Sequence, residues 1–187
     1  MPLPTPDHEA LTAVAAGYGL GLSSDEVDEY APVVTGLLAS WDAVAELYEA
    51  EAPAVPERDW SRPEPADNPY NAWYVTTSIT EASSGPLAGR TVAVKDNTAV
   101  AGVPMTNGSA TIEGFVPSVD ATIVRRLLDA GATVAGKAVC EDLCFSGAGI
   151  TASTGHVENP WDATRHAGGS SGGSGALVAG GLVDMAT

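Results

Sequence analysis

The sequence predicts an α/β fold in which helices come first and a sheet-based core follows. Three observations carry that expectation. Thr91 to Lys137 runs in the order strand, loop, helix, strand, the grammar of a β-α-β unit. Upstream, Val27, Tyr30, Val34, Leu37, Trp41, Val44 and Tyr48 recur at steps of three and four, the period of an amphipathic helix. Between them, 52–71 is rich in Pro, Glu and Asp and has no period, so it reads as an extended linker with a domain boundary near Asn68.

The totals bound what such a chain can do. A length of 187 residues with 44% apolar side chains is enough for one domain and a fraction, with a real core. Eight basic against 24 acidic residues leave a net charge of −16, which repels phosphate backbones and anionic lipid and argues against nucleic-acid and membrane partners. The start, Met1 to Pro6, has neither a basic region nor an apolar one, and no segment reaches the roughly 18 apolar residues of a membrane span, so a soluble, cytoplasmic protein is expected. Cys140 and Cys144 are too few for a disulfide scaffold and read as free thiols.

Thr5 as cap with Pro6 at the first helical position predicts a short helix with Leu11, Val14, Ala15 and Tyr18 on one face, stopped near Gly19. Ser23 and Glu26 form a capping box that opens the long seam, and Pro32 within it predicts a break or kink near Ala31. The seam packs on the rest of the chain or, in the sharper reading, against a second copy to make a homodimer. Trp73–Ile79 is a candidate strand or extended crossing segment. Thr91–Val94 predicts a buried strand that delivers Lys95 to its carboxyl end, where open α/β sheets keep their sites. Asp120 is expected to cap a helix carrying Ile123, Val124, Leu127 and Leu128, Gly131 to end it, and Thr133–Lys137 to begin the next strand. Asn159–Asp162 is a turn, 176–179 a helix, and 182–187 the start of a further strand.

The chemistry centres on Ala167 to Ala176, where five glycines and three serines stand ahead of the helix. Such a loop can cradle an anion with backbone N–H groups or hold a hydroxyl for catalysis. A P-loop needs a lysine directly after its last glycine, and Gly173 is followed by Ser174 and Gly175 instead. The alternative pairs Ser170 or Ser171 with Lys95: a serine hydroxyl is a poor nucleophile until its proton is accepted, and a neutral lysine amine can accept it. Spacing alone leaves it open whether these residues meet. Cys140 and Cys144 with Glu141, Asp142 and His156 make a poor metal set, and His166, though near Ser170 in sequence, reads as a loop residue. Neither metal nor cofactor is expected.

Four blocks then stand together in order: Val94-Lys95-Asp96-Asn97, Asp129 to Lys137, Asn159-Pro160-Trp161-Asp162, and Gly168 to Ser174. From Trp73 onward they resemble the amidase signature family, whose members act on amides through a Ser-Ser-Lys triad. The resemblance implies that 1–68 is a helical extension with linker and that 69–187 is the first, truncated part of the family's mixed-sheet catalytic domain. Lys95 would be the catalytic lysine and Ser170, after a cis Gly169–Ser170 peptide, the bridging serine. Phe145, Ser146, Gly168 and Gly169 would line the substrate site. The nucleophilic serine of the family lies beyond Thr187, so residues 1–187 alone are expected to be inactive. The helical extension is similar to that of the nitrile-hydratase-associated amidases, which act on small carboxamides. The alternatives are a non-catalytic binding remnant and a glutamine-hydrolysing amidotransferase subunit.

Overall fold

The computed structural model describes residues 3–187, which fall into two compact units with their boundary between Ala52 and Pro53. In the first unit, α1 spans His8–Gly17. Its cap is Asp7, whose carboxylate accepts from Ala10 N at 2.8 Å, and not Thr5 as the sequence suggested. A carboxylate caps as well as a hydroxyl and also opposes the positive end of the helix dipole. Gly19, at φ +73°, turns the chain out of the helix near the expected position.

Helix α2 spans Ser24–Glu51 and opens on the expected capping box, with Ser23 N donating to Glu26 Oε2 at 2.8 Å. It runs through Pro32 unbroken, so the expected break is absent. Proline removes one backbone donor, and the remaining bonds of a 28-residue helix carry it across. The seam divides in its environment. Val27 is buried and Val34 half-buried, whereas Leu37, Trp41, Val44 and Tyr48 are each more than 60% exposed. Length explains the division: ten residues of α1 reach ~15 Å along a partner of ~42 Å. No helix among the described residues is long and apolar enough to cross a membrane.

The second unit is built on a mixed five-stranded sheet. Its strands are β1 (Trp60–Ser61), β2 (Trp73–Ile79), β3 (Thr91–Lys95), β4 (Thr133–Ala138) and β7 (Met185–Ala186), in the spatial order β1-β2-β4-β3-β7. β1 and β4 flank β2 antiparallel, while β3 runs parallel to both β4 and β7. Helix α3 (Thr122–Asp129) makes the crossover from β3 to β4, and α4 (Gly172–Ala179) precedes β7. A separate hairpin pairs β5 (Glu158–Asn159) with β6 (Asp162–His166) across the Pro160-Trp161 turn.

Two local readings need correction. The stretch 52–71 is not all linker: Trp60 and Ser61 pair with Thr77 and Thr76, and the Arg58 guanidinium bonds Asp120 at 2.6 and 2.9 Å. A two-residue strand has no periodicity to detect. Nor does Asp120 cap α3, whose cap is Ala121 without a side-chain bond. Asp120 instead accepts from Ala101 N at 2.8 Å and from Arg58, because a guanidinium fork offers a stronger bidentate partner than one helix N–H.

The core lies between the sheet and its two helices. Val75, Val92, Ala93, Val94 and Val134 from the strands meet Val124 and Leu128 of α3 and Ala176 and Leu177 of α4, all at most 1% exposed. Close approach sets two glycines. An added Cβ at Gly136 would lie 2.4 Å from Val75 O, and one at Gly173 would lie 2.5 Å from Val139 N. Buried in the same layer is a charged pair that hydrophobic patterning did not anticipate: Lys137 Nζ lies 2.9 Å from Asp96 Oδ1, with both side chains at most 1% exposed.

Candidate active site

The site forms where β3 ends. Val92, Ala93 and Val94 are buried, so β3 is an interior strand and its last residue, Lys95, emerges at the carboxyl edge of the sheet. Lys95 N donates to Thr187 Oγ1 at 3.0 Å, which ties the strand end to the chain leaving β7. Ser174, at the start of α4, donates to Thr187 O at 2.7 Å and so joins the helix to the same strand.

The glycine-serine loop reaches this edge from the other side. Gly173 N donates to Val139 O at 3.0 Å, and Glu141 N donates to Ser170 O at 3.1 Å, so the loop hangs on the chain that continues β4. The Gly169–Ser170 peptide is cis. Across 75 residues of sequence, Lys95 Nζ donates to Ser170 Oγ at 2.8 Å.

The two lysines of the chain divide their partners. Asp96, next to Lys95 in sequence, turns inward, where Oδ1 accepts from Lys137 and Oδ2 accepts from Thr106 N at 2.9 Å and Thr106 Oγ1 at 3.0 Å. Burial pushes the Lys137 ammonium below its ordinary pKa, and the Asp96 carboxylate pulls it back up. Lys95 has no carboxylate partner among the described residues and contacts a hydroxyl instead. An amine and a hydroxyl at 2.8 Å can exchange a proton when the amine is neutral.

The remaining site candidates are dispersed. Loop 146–150 packs on the glycines of the serine loop: an added Cβ on Gly149 would lie 2.8 Å from Gly168 O. Ser146 is half-buried and accepts from Ala148 N at 3.1 Å, close in sequence to that contact, while the Phe145 ring is 95% exposed and stands away from it. Gly168 has φ +78° and is half-buried; Gly169 is exposed on one side and abuts Glu141 on the other. Ser171 is exposed, and His166 lies on β6 opposite Glu158. Cys140 and Cys144 are free thiols, and both donate to Asn107 Oδ1, at 3.8 and 3.2 Å. Burial pushes the Cys140 thiol pKa up, which makes it a poor nucleophile and a poor metal ligand. No group of three metal-ligating side chains occurs among the described residues.

Two contacts around the site were not legible in the sequence. The Asp96–Lys137 pair carried only a weak signal, a lysine near the end of an apolar strand. The contact of Glu141 with Gly169 and Ser170 carried none, because it joins residues 28 and 29 positions apart.

Comparison with known proteins adds a second line of observation. The family described as Amidase matches residues 65–187. An enantioselective amidase of Rhodococcus rhodochrous is 54% identical over 186 residues, covering 98% of this chain and 36% of the relative. A glutamyl-tRNA(Gln) amidotransferase subunit of Haloarcula marismortui is 50% identical over 117 residues, covering 63% of this chain and 28% of the relative. Among solved structures, the corresponding glutamyl-tRNA(Gln) amidotransferase subunit of Thermotoga maritima superposes with a TM-score of 0.57 at 34% identity, covering 63% of this chain and 26% of that one. The native peptide amidase of Stenotrophomonas maltophilia gives 0.51 at 39% identity, covering 55% and 22%. The chain thus spans about a third or less of the length of these relatives.

Proposed function

The chain belongs to the amidase signature family of hydrolases, and from that premise we propose that it supplies the lysine and the bridging serine of an amidase acting on small carboxamides. The observation that supports this most is the 2.8 Å contact between Lys95 Nζ and Ser170 Oγ at the carboxyl edge of the sheet. In the proposed mechanism a nucleophilic serine beyond Thr187 passes its proton to Ser170 Oγ as Ser170 passes its own to the neutral Lys95 amine. The alkoxide attacks the amide carbonyl, and backbone N–H groups hold the oxyanion. The relay reverses to protonate the leaving ammonia, and water then hydrolyses the acyl-enzyme through the same two groups. No metal or cofactor enters these steps.

A second reading, a subunit that hydrolyses glutamine and passes ammonia to a partner, is favoured by the match to the amidotransferase subunits. That match covers 117 residues, whereas the match to the Rhodococcus amidase covers 186 and includes the N-terminal helices. This extent supports the stand-alone amidase.

Ammonia release from one aliphatic and one aromatic primary carboxamide tests the proposal. It is measured for residues 1–187 and for the protein continued through the reading frame after Thr187. The longer protein is expected to hydrolyse them, with Lys95→Ala and Ser170→Ala each lowering kcat by roughly 10²- to 10⁴-fold. Residues 1–187 alone are expected to release none. Hydrolysis by residues 1–187 that Ser170→Ala abolishes would overturn the assignment of the nucleophile, and a longer protein that hydrolyses only glutamine would favour the amidotransferase reading.

A further inference from the structure

We propose that Glu141 is a positioning residue for Ser170, clamping the Gly169–Ser170 segment so that the serine hydroxyl meets Lys95. The inference rests on the roles given above to Lys95 and Ser170.

Glu141 stands just past the buried run Ala138, Val139 and Cys140, in which β4 ends. It grips the serine loop twice. Its N–H donates to Ser170 O at 3.1 Å. Its side chain, with the residue only 2% exposed, lies against Gly169: a Cβ added there would stand 2.7 Å from Glu141 Cγ, 2.9 Å from Cδ and 3.0 Å from Oε1. The φ of Gly169 lies outside the left-handed region, so an added side chain there would meet the glutamate and not a backbone restriction.

The carboxylate is itself anchored through Oε2. Oε2 accepts from Thr151 Oγ1 at 2.9 Å, and that hydroxyl accepts from Asp142 N at 3.2 Å. Oε1 is buried and has no hydrogen-bond partner among the described residues. Burial pushes the carboxyl pKa up, but the Ser146 and Thr151 hydroxyls and the nearby N–H groups of Ile150 and Gly149 outweigh it and hold the group below the usual carboxylate range. These donors hold the side chain in its buried place as a charged group. Its shape fills the space under Gly169 while its backbone holds the carbonyl of the next residue. Together the two contacts fix the plane from which the Ser170 side chain projects.

The contact can be read without reference to activity, as the nuclear Overhauser effect between the Lys95 Hε and Ser170 Hβ protons of the isotopically labelled chain. Glu141→Ala is expected to weaken it at least twofold while the cross-strand signals between Trp73 and Ala138 persist. Gly169→Ala should weaken it as well, by forcing the glutamate side chain away. The double variant should recover it, since the new methyl group enters the space the carboxylate leaves. Wild-type intensity in a folded Glu141→Ala chain overturns the proposal. Should that variant not fold, wild-type intensity in Gly169→Ala overturns it equally. Loss in both single variants without recovery in the double assigns the effect to general disruption and also overturns it. None of these outcomes bears on whether the longer protein hydrolyses amides, which ammonia release decides separately.

Discussion

A lysine at the end of a strand takes its role from what the fold places opposite it. Lys137 and Lys95 stand near the ends of neighbouring parallel strands, yet one neutralises a core carboxylate and the other meets a serine hydroxyl. Lys137→Met would leave Asp96 buried without its counter-charge, at a cost of about 3–5 kcal/mol. Urea denaturation should therefore show a large fall in midpoint, larger than for any single surface ion pair. Asp184 makes a different kind of prediction. Thr91 N–H, then the Arg90 guanidinium and the Thr91 hydroxyl, hold its carboxyl at about 2 against an ordinary 3.8. A depressed folded value means that its contribution is full above about pH 4 and is lost as pH falls toward 2. The stabilities of wild type and Asp184→Asn, compared by urea titration between pH 6 and pH 2, should differ most at pH 6 and converge at the acid end.

At the scale of elements, close backbone approach decides how α4 sits. Gly173 lies where a methyl group would meet Val139 N at 2.5 Å and Ala72 O at 2.6 Å, so Gly173→Ala must push the helix from the sheet. A loss of about 3 kcal/mol is expected from such overpacking against backbone. Gly175, two positions further along the helix with nothing within 4 Å of an added Cβ, is the control. Gly175→Ala should stabilise by about 0.5–1 kcal/mol through helix propensity. Thermal melts of the two variants separate packing from propensity, because a shared response would contradict the close approach. Helix α2 gives the complementary case: local chemistry at Pro32 argues for interruption, and the length and capping of the element prevail.

At the scale of the molecule, the question is what becomes of the apolar seam beyond the reach of α1. Leu37 and Trp41 are each 66% exposed. The homodimer expectation attaches to these residues and is checked by sedimentation. A wild-type dimer that Leu37→Glu, Trp41→Glu converts to monomer would support it, and a monomeric wild type would remove it. The helical unit and the sheet unit each carry their own internal order, and the family match begins at residue 65, within the second of them.

Elements whose causes are local or repetitive are legible in the chain before it folds. The capping box at Ser23, the period of α2, the β-α-β order from Thr91 to Ala138, and the glycine-serine loop ahead of α4 all follow from near neighbours in the chain. The sequence also supplied Lys95 and Ser170 as candidates by residue type and motif. Which distant groups meet is set only by the folded chain. The pairing of β1 with β2, the turn of Asp120 from α3 toward Arg58, the burial of Lys137 against Asp96, and the grip of Glu141 on Gly169 and Ser170 are contacts between residues far apart in sequence. Their energies depend on desolvation and exclusion of volume, which exist only once the chain has closed around them. The 2.8 Å separation of Lys95 Nζ and Ser170 Oγ belongs to that second class, because a parallel crossover must bring the two loops to one edge of the sheet before either side chain has a partner.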